Sequence, residues 1–269
     1  MDMFVKQQPG AGMDVFFSAK GIAVIGASDD VTKIGGRPIQ FLLKYGYKGN
    51  IYPVNPRGGV IQGLPAYTSV SELPGPADMA VLAVPAPATI QALKECAKVG
   101  VRAVVVLSSG FAEAGEQGVL LQSELVAIAR RHGIRLLGPN CLGTISVAQG
   151  VIASFSIILE QSMPPAGHVG IVSQSGNVGS YAVQNIARRG LGLSHFIATG
   201  NEADIDVADG IAALANDAQT HLILCCMETC RDADRLTYAL DLARKNNKPV
   251  VVLKIGSTDQ GQHWQVPMP

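Results

Sequence analysis

Ser173, Ser175, Gly176 and Asn177 fall within five consecutive residues, between the apolar run 169–172 and a helical pattern carrying Tyr181, Val183 and Ile186. That helix pattern closes at Arg188, Arg189 and Gly190, so the whole stretch reads as strand, tight turn, helix. Such a turn aims two hydroxyls, unpaired backbone N–H groups and the positive end of a helix at one point, and a phosphoryl group is its natural occupant. Ser175 or Asn177 serves equally well as an ordinary cap beside a glycine. Glu228 directly follows the apolar run 222–227, where an acid either faces a ligand crevice or caps the next helix.

A second group of turns carries different chemistry. Gly26, Ala27 and Ser28 follow the apolar run 21–25, with Lys33 and a Gly-Gly pair behind them. This resembles a nucleotide turn without being a clean GxGxxG. Asn55 and Pro56 end the next strand, where a dinucleotide enzyme places an acid for the ribose hydroxyls. Both departures disfavour NAD and a Rossmann dehydrogenase; a ligand with phosphates and different ribose chemistry fits better. Lys33 meets a phosphate or is a solvated loop lysine. Val84, Pro85 and Ala86, then Ser109 and Gly110, then Asn140 and Cys141 follow three further strands. Each alone is an ordinary way of stopping a strand; their recurrence along one sheet edge is what marks a binding edge. The five histidines form no serine–histidine–acid motif, and the five cysteines form no CxxC pair or metal-spaced cluster. Cys225 and Cys226 read as buried strand thiols.

These residues need strands to carry them. Strands are expected at 21–25, 50–54, 79–84, 103–107 and 135–137, then at 169–172, 194–198, 222–227 and 250–254. Helices are expected at 36–45, 90–99, 120–132, 178–189, 205–216 and 231–246. The alternation predicts an α/β chain of two doubly wound parallel-sheet domains, 14–147 and 148–269, with the Pro/Gly-punctuated stretch 148–167 as the seam and 1–13 as a loose leader. Ligands belong at the carboxyl ends of the strands.

Composition bounds the class. Apolar residues make up 48% and charged residues 16%, so most of the chain is interior. Lys plus Arg and Asp plus Glu are both 21, which leaves no electrostatic footprint for nucleic acid or an anionic membrane. No run approaches the roughly 18 apolar residues of a spanning helix, and the first residues show no signal-peptide core, so a cytoplasmic protein is expected.

In order, GIAVIGAS, IYPVNP, AVPAPATI, SSGFAEAGEQG, RLLGPNCLG, GIVSQSGNVG and VVVLKIG resemble the NDP-forming acyl-CoA synthetases, relatives of the succinyl-CoA synthetase alpha subunit, over residues 17–262. The resemblance implies a Rossmann-like CoA-binding domain followed by a flavodoxin-like domain. It implies a reaction interconverting acyl-CoA, phosphate and a nucleoside diphosphate with a carboxylate, CoA and a nucleoside triphosphate, through an acyl phosphate and a phosphohistidine. It places CoA on Gly26, Ala27, Ser28, Lys33, Asn55, Pro56, Val84, Pro85, Ala86, Ser109 and Gly110, with Asn140 and Cys141 beside the thioester. It places the phosphoryl group on Ser173, Ser175, Gly176 and Asn177, and gives Glu228 the role of orienting the histidine. ATP or ADP with Mg would come through an ATP-grasp partner, in an oligomer.

The likeness departs after residue 262. The family histidine is due near 268 inside Ser-His-Thr-Gly, whereas here His263 and Trp264 open a divergent tail without those neighbours. The 269 residues contain no ATP-grasp portion. The chain is therefore expected to bind CoA and phosphate but to be incomplete for turnover alone; the alternative is a CoA-binding or regulatory protein without chemistry.

Overall fold

Runs such as GIAVI, MAVL and AVVV are apolar at every position, which only a sheet covered on both faces can bury. The computed structural model of the protein describes residues 7–256, and each of these runs is a fully buried strand. In chain order the elements are α1 (Asp14–Ser18), β1 (Gly21–Ile25), α2 (Arg37–Lys44), β2 (Asn50–Val54), β3 (Gly59–Ile61), β4 (Leu64–Ala66), β5 (Met79–Leu82), α3 (Ala86–Lys98), β6 (Ala103–Val106), α4 (Glu116–Arg131) and β7 (Arg135–Leu137). Then follow β8 (Gly143–Ser146), β9 (Val151–Ser154), α5 (Ile158–Gln161), β10 (Ala166–Ser173), α6 (Gly176–Arg188), β11 (Leu193–Ala198), α7 (Val207–Asn216), β12 (Leu222–Met227), α8 (Ala233–Lys245) and β13 (Val250–Lys254).

The first sheet is wholly parallel, in the order β2-β1-β5-β6-β7. Strand order reverses between β1 and β5. The second sheet runs β13-β12-β10-β11-β8-β9; β10 to β13 are parallel, with the reversal between β10 and β12. In open α/β sheets these reversal points are where a crevice opens at the strand tips. The turns 26–28 and 84–86 flank the first crevice. The turns after β10 and β12, carrying residues 173–177 and 228–229, flank the second.

The stretch read as a seam holds structure of its own. β8 and β9 form an antiparallel hairpin, and β8 adds antiparallel to β11. Strand β8 thus lies before the 147/148 division expected from sequence yet pairs in the second sheet. One core cluster runs from Ile22, Val24 and Phe41 through Ile145 and Ile152 to Val172 and Phe196, and a second fills the other face of the first sheet. The hairpin is the shared wall of the two halves, and its short strands leave too weak a period to be seen in advance.

The expectation of a loose leader fails for residues 8–13. Gly10 N–H donates to Asp209 Oδ1 at 3.0 Å, Arg135 donates to the Ala11 carbonyl, and Met13 is only 1% exposed. Gly10 and Gly12, at φ +83° and +71°, let the segment fold back in a conformation that other residues resist. Helices α3 and α4 each begin four residues earlier than their apolar period, because their first turns carry Pro87 or polar residues that a helix start accepts. No helix among the described residues is long and apolar enough to cross a membrane. His263 and Trp264 lie outside the described residues.

Candidate functional site

Five turns leave the first sheet at its carboxyl edge, and they are bonded to one another. Gly26 and Ala27 both donate to the Val54 carbonyl, at 3.0 and 3.1 Å. The Asn55 side-chain amide donates to the Ala27 carbonyl at 2.8 Å, and its oxygen accepts from Arg57 N–H at 2.9 Å. Asn55 therefore turns inward and ties the β1 exit to the β2 exit. Ser28 N–H donates to the Gly35 carbonyl at 3.3 Å. A Cβ on Gly35 would lie 2.0 Å from the Gly26 carbonyl oxygen, which is why only glycine closes this loop. Lys33 and Pro56 are exposed at the rim.

Further along the edge, the Ser108 hydroxyl donates to the Val84 carbonyl. Ala86 is buried as the first residue of α3, with Pro85 preceding it. Gly110, at φ +101°, passes close to Ala86. Its N–H donates to Glu113 at 2.6 Å, and Phe111 N–H to the same oxygen at 3.2 Å. Burial would raise the Glu113 carboxyl, but bonds from Asn201 and from Gly110 outweigh it and hold the group below the usual range. Glu113 thus pins the 109–110 loop as an ionised acceptor.

Asn140 is exposed in the left-handed region at φ +55°. Cys141 behind it is 4% exposed, its sulfur 3.5 Å from the Val106 carbonyl oxygen. Burial pushes this thiol up to about 12, so it stays neutral and forms part of a wall.

In the second sheet the turn after β10 is shorter. Ser173 bonds through its hydroxyl to the Ser175 carbonyl at 2.6 Å. Ser175 caps α6, accepting from Val178 N–H at 3.4 Å. The leading N–H groups of α6, from Gly176 onward, then point out of the helix at the strand tip. The Gln174 side chain crosses the reversal point. Its oxygen accepts from Glu228 N–H at 2.5 Å and Thr229 N–H at 2.9 Å, and its nitrogen donates to the Thr229 carbonyl at 2.8 Å.

The two edges meet. A cleft of about 350 Å³ is lined by Asn140 and Cys141 from the first half and by Gln174, Ser175, Gly176, Asn177 and Glu228 from the second. Gly200 and Asn201 line it too. A Cβ on Gly200 would lie 2.4 Å from the Pro139 carbonyl oxygen, so the halves approach here at backbone contact. Asn140 donates to the Asn201 side-chain oxygen at 3.3 Å. The cleft thus has the buried Cys141 thiol and the Asn140 turn on one side and an N–H-lined helix end on the other. Lys33, Asn55, Pro56, the 84–86 turn and the 109–110 loop are not part of its lining; they extend along the first sheet's edge instead.

The same two-part division appears in comparisons with known proteins. Residues 20–146 match the family profile described as CoA binding domain, and residues 166–265 match the succinyl-CoA ligase like flavodoxin domain. The alpha 2 subunit of ADP-forming succinate–CoA ligase from Archaeoglobus fulgidus is 31% identical over 226 residues, covering 81% of this chain and 73% of that one. The chain belongs to the NDP-forming acyl-CoA synthetase family. This synthetase-family chain is also 39% identical over 251 residues to the alpha subunit of ADP-forming acetate–CoA ligase II from Pyrococcus furiosus, covering 93% of itself and 53% of the relative. Its fold superposes, with a TM-score of 0.86 and 34% identity, on dinucleotide-forming acetyl-coenzyme A synthetase 1 of Ca. Korarchaeum cryptofilum in complex with phosphate and ADP, over 94% of this chain and 53% of that one. The chain spans about half the length of the acetate–CoA ligase alpha subunits I and II of Pyrococcus furiosus that it matches. The Rossmann-like and flavodoxin-like halves expected from the sequence are thus those of the synthetase family.

Several residues of this synthetase chain escaped sequence reasoning. Gln62, at the tip of the β3–β4 hairpin, donates to the Ser28 and Gly36 carbonyls at 3.0 and 2.9 Å and so braces the first turn. Gln174 stood in plain view between Ser173 and Ser175. Gly200 and Asn201 carry an ordinary turn signal after the strand 194–198, but nothing local says that the turn touches the other half.

Proposed function

We propose that this chain is the CoA-binding, alpha-type portion of an NDP-forming acyl-CoA synthetase. The reaction is acyl-CoA, phosphate and a nucleoside diphosphate giving a carboxylate, CoA and a nucleoside triphosphate. The single observation that carries the reading is the cleft in which the Asn140–Cys141 turn faces the Ser175–Asn177 helix start. A thioester arriving along the first edge and a phosphoryl group on the helix N-terminus would meet there.

The residues fit the two ligands. The crevice between the 26–28 and 84–86 turns is the reversal point of a parallel sheet, the usual seat of a nucleotide moiety. Lys33 at its rim would meet phosphates, and Asn55, Pro56, Ser109 and Gly110 would continue the CoA track. Ser175, Gly176 and Asn177 would hold the phosphoryl oxygens through N–H and hydroxyl donors, while Ser173, whose buried hydroxyl donates to the Ser175 carbonyl, would shape the turn behind them. Glu228 would orient the relay histidine. Magnesium nucleotide belongs to an ATP-grasp partner subunit or domain, which makes the working form an oligomer, and we place it in the cytoplasm. Domain limits of 14–147 and 148–269 go with this assignment, with β8 crossing from the first part of the chain into the second sheet.

Calorimetric titration of the full chain with CoA and with NAD tests this. Binding of CoA alone is expected; saturable NAD binding with none for CoA would overturn it. A non-catalytic CoA binder is the second reading, favoured by His263 lacking the Ser and Thr-Gly neighbours of the family motif. Labelled nucleoside triphosphate supplied with an ATP-grasp partner separates the two: a stable phosphohistidine supports the synthetase, and tight CoA binding without one supports the binder.

A further inference from the structure

Glu202 is a carboxyl that the assignments above do not use. It sits in the loop after β11, 6% exposed and at φ +54°, a conformation that disfavours side chains and persists only where the surroundings enforce it. We propose that Glu202 is a positioning residue: it fixes the Gln174 amide and, through it, the Glu228–Thr229 strand exit against the Ser173–Asn177 turn. This rests on the proposed phosphoryl role of that turn.

The geometry makes the case. One Glu202 oxygen accepts from the Thr199 hydroxyl at 3.0 Å and Val207 N–H at 2.9 Å. The other accepts from Gln174 Nε2 at 2.7 Å and faces Arg231 Nε at 3.3 Å. A glutamine amide can be turned over with little change of shape. Here its oxygen faces two N–H donors, while its nitrogen faces a carbonyl and the Glu202 carboxylate, so only one orientation satisfies every partner. Three neighbouring strand exits, those of β10, β11 and β12, are thereby held by one side chain. Turning the amide over would set its nitrogen against the Glu228 and Thr229 N–H groups and its oxygen against the Thr229 carbonyl and the Glu202 carboxylate, so every one of these bonds would be lost.

The clamp also responds to protons. Burial pushes the Glu202 carboxyl up to about 7; bonds from Gln174 and Thr199 and the charge of Arg231 oppose the rise, and Asp206 adds to it. Arg231 reaches the carboxyl from the loop before α8, Asp206 from the cap of α7, and Cys225 on β12 also feels its charge. A protonated Glu202 gives up acceptor capacity toward Gln174 or Arg231.

The test is Glu202→Gln in the full chain, which keeps the size and replaces an acceptor with a donor. Hydrogen exchange at the Glu228 and Thr229 amides is expected to quicken about tenfold, the factor that about 1.4 kcal/mol represents, with CoA affinity unchanged. Inorganic phosphate, titrated at about pH 8, should bind about tenfold more weakly. In the wild type, which needs no variant, the Glu228 and Thr229 amide resonances should titrate with a midpoint near 7, and this step should vanish in E202Q. Unchanged exchange at both amides and no such step in the wild type would overturn the proposal. So would loss of protection throughout the chain together with lost CoA affinity, since that marks a merely structural residue. If the amides respond as expected but phosphate binds neither protein, the clamp stands and the phosphoryl reading falls.

Discussion

The first turn of each half follows the first strand of its parallel series, yet the two are built differently. After β10 the helix begins at Gly176, immediately behind its cap Ser175. After β1 it begins only at Arg37, behind a loop whose N–H groups are turned inward to the Val54 and Gly35 carbonyls. The short turn concentrates donors and helix dipole at one point, which suits a compact anion. The long turn folds back until Gly35, just ahead of the helix, touches the Gly26 carbonyl, so its backbone donors are spent inside the loop. On the proposed function, loop length is what would separate a phosphoryl seat at the short turn from a carrier seat at the long one.

Substitution at the closing glycines breaks the contrast most sharply. Gly35→Ala would set its Cβ 2.0 Å from backbone oxygen, so a loss of about 3 kcal/mol in denaturant unfolding is expected, and CoA binding with it. At Gly176 the new Cβ would meet the Leu142 side chain at 2.7 Å; a side chain can give way, and Gly176→Ala should cost about 1 kcal/mol. Equal losses at the two positions would mean that the long turn is not locked.

Asn55→Asp comes next in size. It restores the acid of a dinucleotide site but sets a carboxylate against the Ala27 carbonyl that Asn55 now donates to at 2.8 Å. Calorimetry should show CoA affinity falling about tenfold with no NAD binding gained; acquired NAD affinity would show that the side chain is free to face the crevice. Ser175→Ala removes the α6 cap, for about 1 kcal/mol of stability, and weakens phosphate while sparing CoA. The matching change Ser28→Ala removes only an acceptor for Asp30 N–H at 3.1 Å and no cap of α2, and should cost a few tenths of a kcal/mol. The smallest effect concerns Cys141. With its thiol pushed up to about 12, alkylation near neutral pH should reach the exposed Cys230 first and leave both ligands' affinities intact; rapid modification of Cys141 would reveal an opening wall.

Much of this was legible in the residues. Runs such as GIAVI and LILCCM are apolar at every position and bounded by turn residues, so their strands fell where expected. The turn residues were also legible as a set, since Gly, Ser, Asn or Pro follow most of the expected strands. The hairpin β8–β9 was not legible, because four-residue strands leave no period and their register depends on β11. Nor was the order at residues 8–13, which comes from Asp209 and Arg135, far away in sequence.

By itself the sequence determined two parallel βα series and which tips hold Gly, Ser, Asn and Pro, since periodicity and turn chemistry are local properties. Only the tertiary structure decided that the Asn140 turn faces the Ser175 helix end, and that Glu202 reaches Gln174. Both depend on packing between strand exits 28 and 35 residues apart in the chain, and no local pattern encodes which of many chemically suitable partners the sheet order will bring together.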